Sequence, residues 1–145
     1  MAGETVSLGS PASFNATLFT TATLTASASG AKIPGIEKYT SALFQLTVGT
    51  VTGTSPTLNC YIQTLLPDNT TWQDIVSFTQ VTASTSNQIA HFVTGAASIA
   101  AVQTEALAAG SIKAIGLGCF LRVRAVVGGT NPSFGNTVVY ASFYE

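Results

Sequence analysis

The stretch Phe120-Leu-Arg-Val-Arg-Ala-Val-Val127 alternates without a fault. Leu121, Val123, Ala125 and Val127 fall on one side of an extended chain, and Arg122 and Arg124 fall on the other. Successive side chains of a strand point to opposite faces, so this period of two marks a half-buried strand. The same period recurs on both sides of it. Ala42, Phe44, Leu46 and Val48 alternate with Leu43, Gln45 and Thr47. Leu58 to Thr64, Ile75 to Gln80, the set Ile89, His91 and Val93, and Val138 to Phe143 read the same way. Turn chemistry separates the runs at Gly49, Gly53-Thr-Ser-Pro56, Pro67-Asp-Asn69, Ser84-Thr-Ser-Asn87 and Gly128-Gly-Thr-Asn-Pro132. Short strands at this spacing predict an all-β fold, an antiparallel β-sandwich of jelly-roll-like form. One short helix is expected over Ala96 to Ala109, where Ile99, Val102 and Ala106 share a face and Gly110 would close the C-terminus. No internal repeat is evident.

At 145 residues the chain suffices for one domain with a real core. Residues 1–35 differ in composition from the rest. They are rich in Ser, Thr, Ala and Gly, carry only Glu4 and Lys32 as charges, and end on the breakers Gly30, Pro34 and Gly35. The expected organisation is an extended N-terminal arm over 1–35, with one possible strand around Leu18 to Leu24, joined to a single sandwich over 36–145. The arm is expected to lie on its own sheet or to reach a neighbouring subunit.

Charge is the outstanding compositional feature. Apolar residues make up 46% of the chain and charged residues 8%, against about 25% charged in an ordinary soluble domain. The surface must be kept wet by hydroxyls, from 14 Ser and 22 Thr. A folded monomer of this mass exposes roughly 7,000 Å², so its few charges stand about one per 600 Å². A standard interface takes about 800 Å² from each partner. Large patches could therefore be covered while desolvating one ion or none, which avoids several kcal/mol per buried ion. A net charge near −1 gives no footprint for nucleic acid or an anionic membrane. The Ala-rich stretch 95–121 is interrupted by Gln103, Glu105 and Lys113, so no membrane span is expected. The opening Met-Ala-Gly-Glu lacks a basic segment and an apolar one, so no secretory signal is expected either.

Candidates for chemistry are few. His91 is the single histidine and sits in a strand with no nucleophile or orienting carboxylate linked to it by a motif. Asp68, Asn69 and Asp74 could offer oxygens to a cation, but their spacing fits no EF-hand, and backbone hydrogen bonds at a turn explain them better. Trp72, Tyr61, Tyr140 and Tyr144 could form a stacking platform for sugar, while Trp72 packed across its turn is the simpler reading. Arg122 and Arg124 could grip carboxylates of a neighbour, or pair within the chain with Asp68 or Asp74. Cys60 and Cys119 lie on the apolar side of their alternations and are expected as two buried thiols of a protein made in a reducing cytosol. No metal, no cofactor, no small-molecule substrate and no enzymatic activity are expected.

Leu58-Asn-Cys-Tyr-Ile-Gln-Thr64, the turn Pro67-Asp68-Asn-Thr-Thr-Trp72-Gln-Asp74-Ile75 and Phe78-Thr-Gln80, followed by Phe120-Leu-Arg-Val-Arg124 and Val127-Gly-Gly-Thr-Asn-Pro-Ser-Phe134, together resemble a recurrent pattern in small β-sandwich virion proteins of tailed bacteriophages. The resemblance covers residues 57–82 and 119–140. It departs at Leu66, where a Ser is usual, and at Asn69, where a Gly is usual. It makes Asp68, Trp72, Asp74 and Phe78 a structural turn-and-core signature. It implies a protein that decorates and cements a capsid, commonly as a homotrimer on the major capsid protein. The implied location is the outer surface of a virion, after synthesis in the host bacterial cytoplasm. Phe14, Leu18 and Phe19 of the arm, with Arg122 and Arg124, are the candidate subunit contacts. Related sandwiches also occur on tails, so an appendage that binds host glycan is the alternative.

Overall fold

The structure is a computed structural model, described here for residues 13–94 and 101–145. Its strands are β1 (Ser13–Leu24), β2 (Ala28–Ser29), β3 (Ile33–Pro34), β4 (Ser41–Val48), β5 (Val51–Leu65), β6 (Trp72–Ser77), β7 (Ser86–Val93) and β8 (Phe120–Tyr144). All pairings are antiparallel. The expected all-β, antiparallel, sandwich-like class is the observed one, with its walls curled nearly into a barrel.

The molecule is built on a two-stranded spine. β4 and β5 follow one another along the same edge of β8, from Ser41 opposite Tyr144 to Thr64 opposite Leu121. The link at Gly49 keeps the ladder going, with Gly49 N–H donating to Gly135 C=O at 2.7 Å and Gly135 N–H to Thr50 C=O at 2.8 Å. Each half of the spine carries flanking strands. The first leaf runs β6, β5, the N-terminal half of β8, then β2 and β3. The second runs β7, β4, the C-terminal half of β8, then β1. One hydrophobic core draws on both, including Ile62, Ile75, Leu121 and Val123 from the first and Phe44, Leu46, Phe92 and Phe143 from the second.

The spine bends where the sequence predicted two turns. Gly53-Thr-Ser-Pro56 lies inside β5 and Gly129-Thr-Asn-Pro132 inside β8, and neither reverses the chain. They face each other with Thr54 opposite Thr130 and register shifts in β5 on both sides of that pair. Their geometry is nearly two-fold symmetric: φ is +114° at Gly53 and +106° at Gly129, +48° at Ser55 and +49° at Asn131. A Cβ on Gly53 would meet the Asn131 carbonyl oxygen at 2.6 Å, and one on Gly129 would meet the Ser55 carbonyl oxygen at 2.6 Å. Paired bulges bend a ribbon without ending it, and they are among the few places where Pro fits a paired strand. A four-residue Gly-Thr-x-Pro repeat is therefore present, and it folds one leaf over the other.

The segment set apart by composition continues the sheet. β1, β2 and β3 all pair with β8, so the compositional change at residue 35 marks no break in the ladder. At Gly30 the two leaves approach so closely that a Cβ would meet the Leu18 carbonyl oxygen at 2.8 Å. Residues 1–12, the start of the arm, lie outside the described residues.

The expected helix is not formed. Of Ala96 to Ala109, residues 96–100 lie outside the described residues, and 101–109 are irregular. Ala106 takes φ +62° and Val102 is 84% exposed, against a shared buried face. The physical reason lies in β6, whose outer edge needs partners. Thr104 C=O accepts from Asp74 N–H at 3.1 Å, Ser111 C=O from Ser77 N–H at 2.9 Å, and Lys113 N–H donates to Ile75 C=O at 2.8 Å. Backbone groups that a helix would satisfy internally satisfy a sheet edge instead. Residues 101–115 form a strap.

Candidate functional site

The strap changes what the first leaf shows to solvent. Outward-facing Gln63, Asp74 and Arg122 of that leaf stand side by side in register. Asp74 is fully buried. Its carboxylate accepts from Gln63 Nε2 at 2.8 Å and from the strap's Leu107 N–H at 2.9 Å. Arg122 Nε donates to Gln63 Oε1 at 2.8 Å, and its guanidinium lies 4.2 Å from the Trp72 ring centre. Arg124 lies 5.7 Å over Tyr61. Gln73 closes the cover: its amide donates to Thr104 C=O at 3.0 Å and accepts from Thr104 N–H at 2.8 Å. Burial, opposed by the Glu105 carboxylate, holds the Arg122 guanidinium below its usual pKa. Gln63, Gln73, Asp74 and Arg122 are each bonded to a partner from the same chain, while Ser77 Oγ and Arg124 Nη1 are buried without one among the described residues; a network held this closely suits architecture rather than turnover.

The outer face of the second leaf is the opposite case. Its outward positions form four rows across β1, β8, β4 and β7. The rows are Ser13, Tyr144, Ser41, Val93; then Asn15, Ser142, Leu43, His91; then Thr17, Tyr140, Gln45, Ile89; then Thr20, Val138, Thr47, Asn87. None is Lys, Arg, Asp or Glu, and none is buried. Ile89 is 72% exposed, Val93 51% and Tyr140 43%. Several polar groups are already paired across strands, with Gln45 Nε2 on Asn87 Oδ1 at 2.9 Å and Ser142 Oγ on Asn15 Oδ1 at 2.7 Å. A surface whose amides and hydroxyls hold each other costs less to dry than one with open donors.

The expected site residues distribute as follows. Asp68 caps its own turn, accepting from Thr70 N–H at 3.0 Å and Thr71 N–H at 2.8 Å and from the Thr71 hydroxyl. These bonds, that of the Thr71 hydroxyl foremost, hold its carboxyl down to about 2. Asn69 takes φ +62°, the conformation for which Gly is usual. Phe78 is buried in the core, and Trp72 is half-buried beneath Arg122. Asp68 and Asp74 stand apart in role, one at an exposed turn and one beneath the strap. No group of three metal-ligating side chains occurs among the described residues. Tyr61 is buried on the first leaf while Tyr140 and Tyr144 are exposed on the second, so the aromatic residues form no common platform.

Of the candidate arm contacts, Leu18 is buried in the core and Phe19 packs against it. Phe14 is 42% exposed and stacks on Tyr39 and Phe143. The expectation of two buried thiols is corrected: Cys60 is buried, its thiol pushed up to about 12 by burial, but Cys119 is exposed. It precedes β8 beside Gly118 at φ +69°, outside the alternation that would have turned it inward. His91 is exposed in the middle of the uncharged face.

Sequence reasoning missed Leu43, Ile89 and Val93 as a surface set. An apolar alternation reads as a core face, yet in β7 the inward residue is Phe92. The available signal was Phe92 itself, the largest side chain of the strand on the opposite parity. No helix among the described residues is long and apolar enough to cross a membrane. The chain matches no protein-family model, no curated protein and no solved structure.

Proposed function

We propose that this chain is a non-enzymatic virion protein of a tailed bacteriophage that binds the assembled capsid shell and stabilises it. The observation that carries the proposal is the uncharged outer face of the second leaf. An ordinary domain would scatter about four charged groups over sixteen surface positions, and this one has none across four rows of four. A face of hydroxyls, amides, Tyr and aliphatic side chains can be covered by another protein without stranding an ion. The resemblance at residues 57–82 and 119–140 supplies the kind of partner, a major capsid protein.

The mechanism is mass action. A protein that binds the assembled shell and not its dissociated subunits stabilises the shell by its binding free energy, about 2.7 kcal/mol per site at one hundred times Kd. Repetition over a lattice lets modest contacts act together through effective concentration. Nothing in this requires a reacting group, and the enclosed polar network on the first leaf provides none.

The glycan-binding alternative rests on Trp72, and that ring is already covered on one side by Arg122. The capsid reading is tested by imaging the intact particle. Density for this fold on the outer shell, in lattice-related copies, supports the proposal. Its presence only on the tail, or its absence from the particle, overturns it.

A further inference from the structure

The leaves have four outer edges; among the described residues two are blunted and a third, β7, is only 8 residues long. The edge of β6 is capped by the strap. The edge of β7 is tied down by Gln88, whose amide donates to Thr79 C=O at 2.9 Å and accepts from Thr79 N–H at 2.8 Å. The β2–β3 edge is two short pieces broken by Lys32 and Pro34. β1 is different. It spans 12 residues with no charge and no proline, and β8 is its one partner among the described residues. Among the described residues it is interrupted by a bulge between Thr17 and Phe19 and approached at the Leu18 carbonyl oxygen by Gly30. Exposed strands of this length usually carry Lys, Pro or a cover.

We propose that the β1 edge binds the β1 edge of a second copy of this chain, antiparallel about a two-fold axis. Antiparallel two-fold pairing sets each residue opposite the one at the mirrored position, so a charge near the axis would meet its own copy. The outward residues of β1 and of its neighbour along β8 carry none. Thr17, Thr20 and Thr23 are instead exposed on β1, and Thr–Thr pairs across antiparallel strands are stabilising. The second argument is area, and it rests on the proposed function. Four strands about 4.8 Å apart, with four rows about 6.8 Å apart, give one copy a footprint of about 500 Å². That falls short of the about 800 Å² per partner of a stable interface. Joining two leaves through β1 makes one continuous wall of about 1,000 Å², enough to hold a shell.

The test is the mass of the full chain by sedimentation equilibrium, beside a Thr17→Lys/Thr20→Lys variant. Both positions are exposed on β1, so lysine leaves the core intact. Wild type should sediment at twice 14.8 kDa and dissociate on dilution, and the variant should sediment at half that mass with the melting temperature of wild type diluted to monomer. Amide exchange gives a second readout, since residues 13–24 should gain protection with rising concentration in wild type only. A monomer at all concentrations, a trimer, or a dimer that survives both lysines overturns the inference. So does protection of β1 that is independent of concentration, the result expected if residues 1–12 fold back on it. A monomer that still binds shells would fail this inference and leave the proposed function standing; a dimer that ignores shells would do the reverse.

Discussion

The two leaves hang on one spine, yet their outer faces are finished in opposite ways. The first carries Arg122, Arg124 and Asp74 outward, covers Asp74 with a strap from its own chain, and lays Arg122 and Arg124 over Trp72 and Tyr61. The second carries no charge outward and is left open. Buried charge needs fixed partners, and a chain can guarantee those only by supplying them itself. An uncharged face needs no fixed partner and can wait for another molecule. The comparison teaches that covering a surface and offering it are separate solutions, each written in the distribution of charge.

The largest expected effect breaks the covered side. Asp74→Ala removes the acceptor shared by Gln63 and the Leu107 N–H. Leaving two buried donors unmade should cost about 3 kcal/mol of stability in denaturant unfolding. A cost below about 0.5 kcal/mol, the size of an ordinary surface change, would show that the strap is not held through Asp74. Next comes the hinge between the leaves. Gly53→Ala and Gly129→Ala each force a Cβ against a carbonyl oxygen at positive φ, and each should cost about 2 kcal/mol. Measured together they should fall short of the sum, because they strain one paired bulge.

Thiol chemistry sharpens the comparison at smaller scale. A disulfide reagent should titrate one thiol, Cys119, in the native protein and two after unfolding. Cys60 contributes stability that is full below the unfolded thiol pKa of 9.0 and declines as pH rises toward about 12. A Cys60→Ala variant should therefore lose less stability than wild type over that alkaline range. The smallest effect belongs to Asp68, at an exposed turn. Its depressed pKa means the turn's contribution is present above the ordinary carboxylate range and is lost as pH falls toward about 2. Asp68→Asn should flatten the acid limb of the stability profile by lowering stability slightly at neutral pH and converging on wild type in strong acid. An acid limb identical to that of wild type would remove Asp68 from the account.

Much of this was legible in the residues because strands declare themselves by parity. Leu121, Val123 and Ala125 face inward, and Arg122 and Arg124 outward, as their alternation required. The turn at Asp68 and Asn69 was readable from local hydrogen-bonding capacity. What could not be read depended on partners distant in sequence. The Ala-rich run looked helical because helix propensity is local, while the edge of β6 that recruits it stands some thirty residues earlier. Gly53-Thr-Ser-Pro56 and Gly129-Thr-Asn-Pro132 read as turns because breakers signal irregular backbone, not the direction taken after it. Their pairing with each other makes a bend. The open face was announced only in bulk, as a shortage of charge, since no motif marks a residue set spread over four strands.

Under the proposed function, the open wall is the surface that other proteins cover. That proposal predicts co-sedimentation with tailed-phage capsid shells stripped of this protein, measured for wild type beside Leu43→Glu/Ile89→Glu. Both side chains are exposed on that wall, so folding should change by no more than about 0.5 kcal/mol. The account predicts that the variant stays in the supernatant while wild type pellets with the shells. A variant that pellets as wild type does would contradict it.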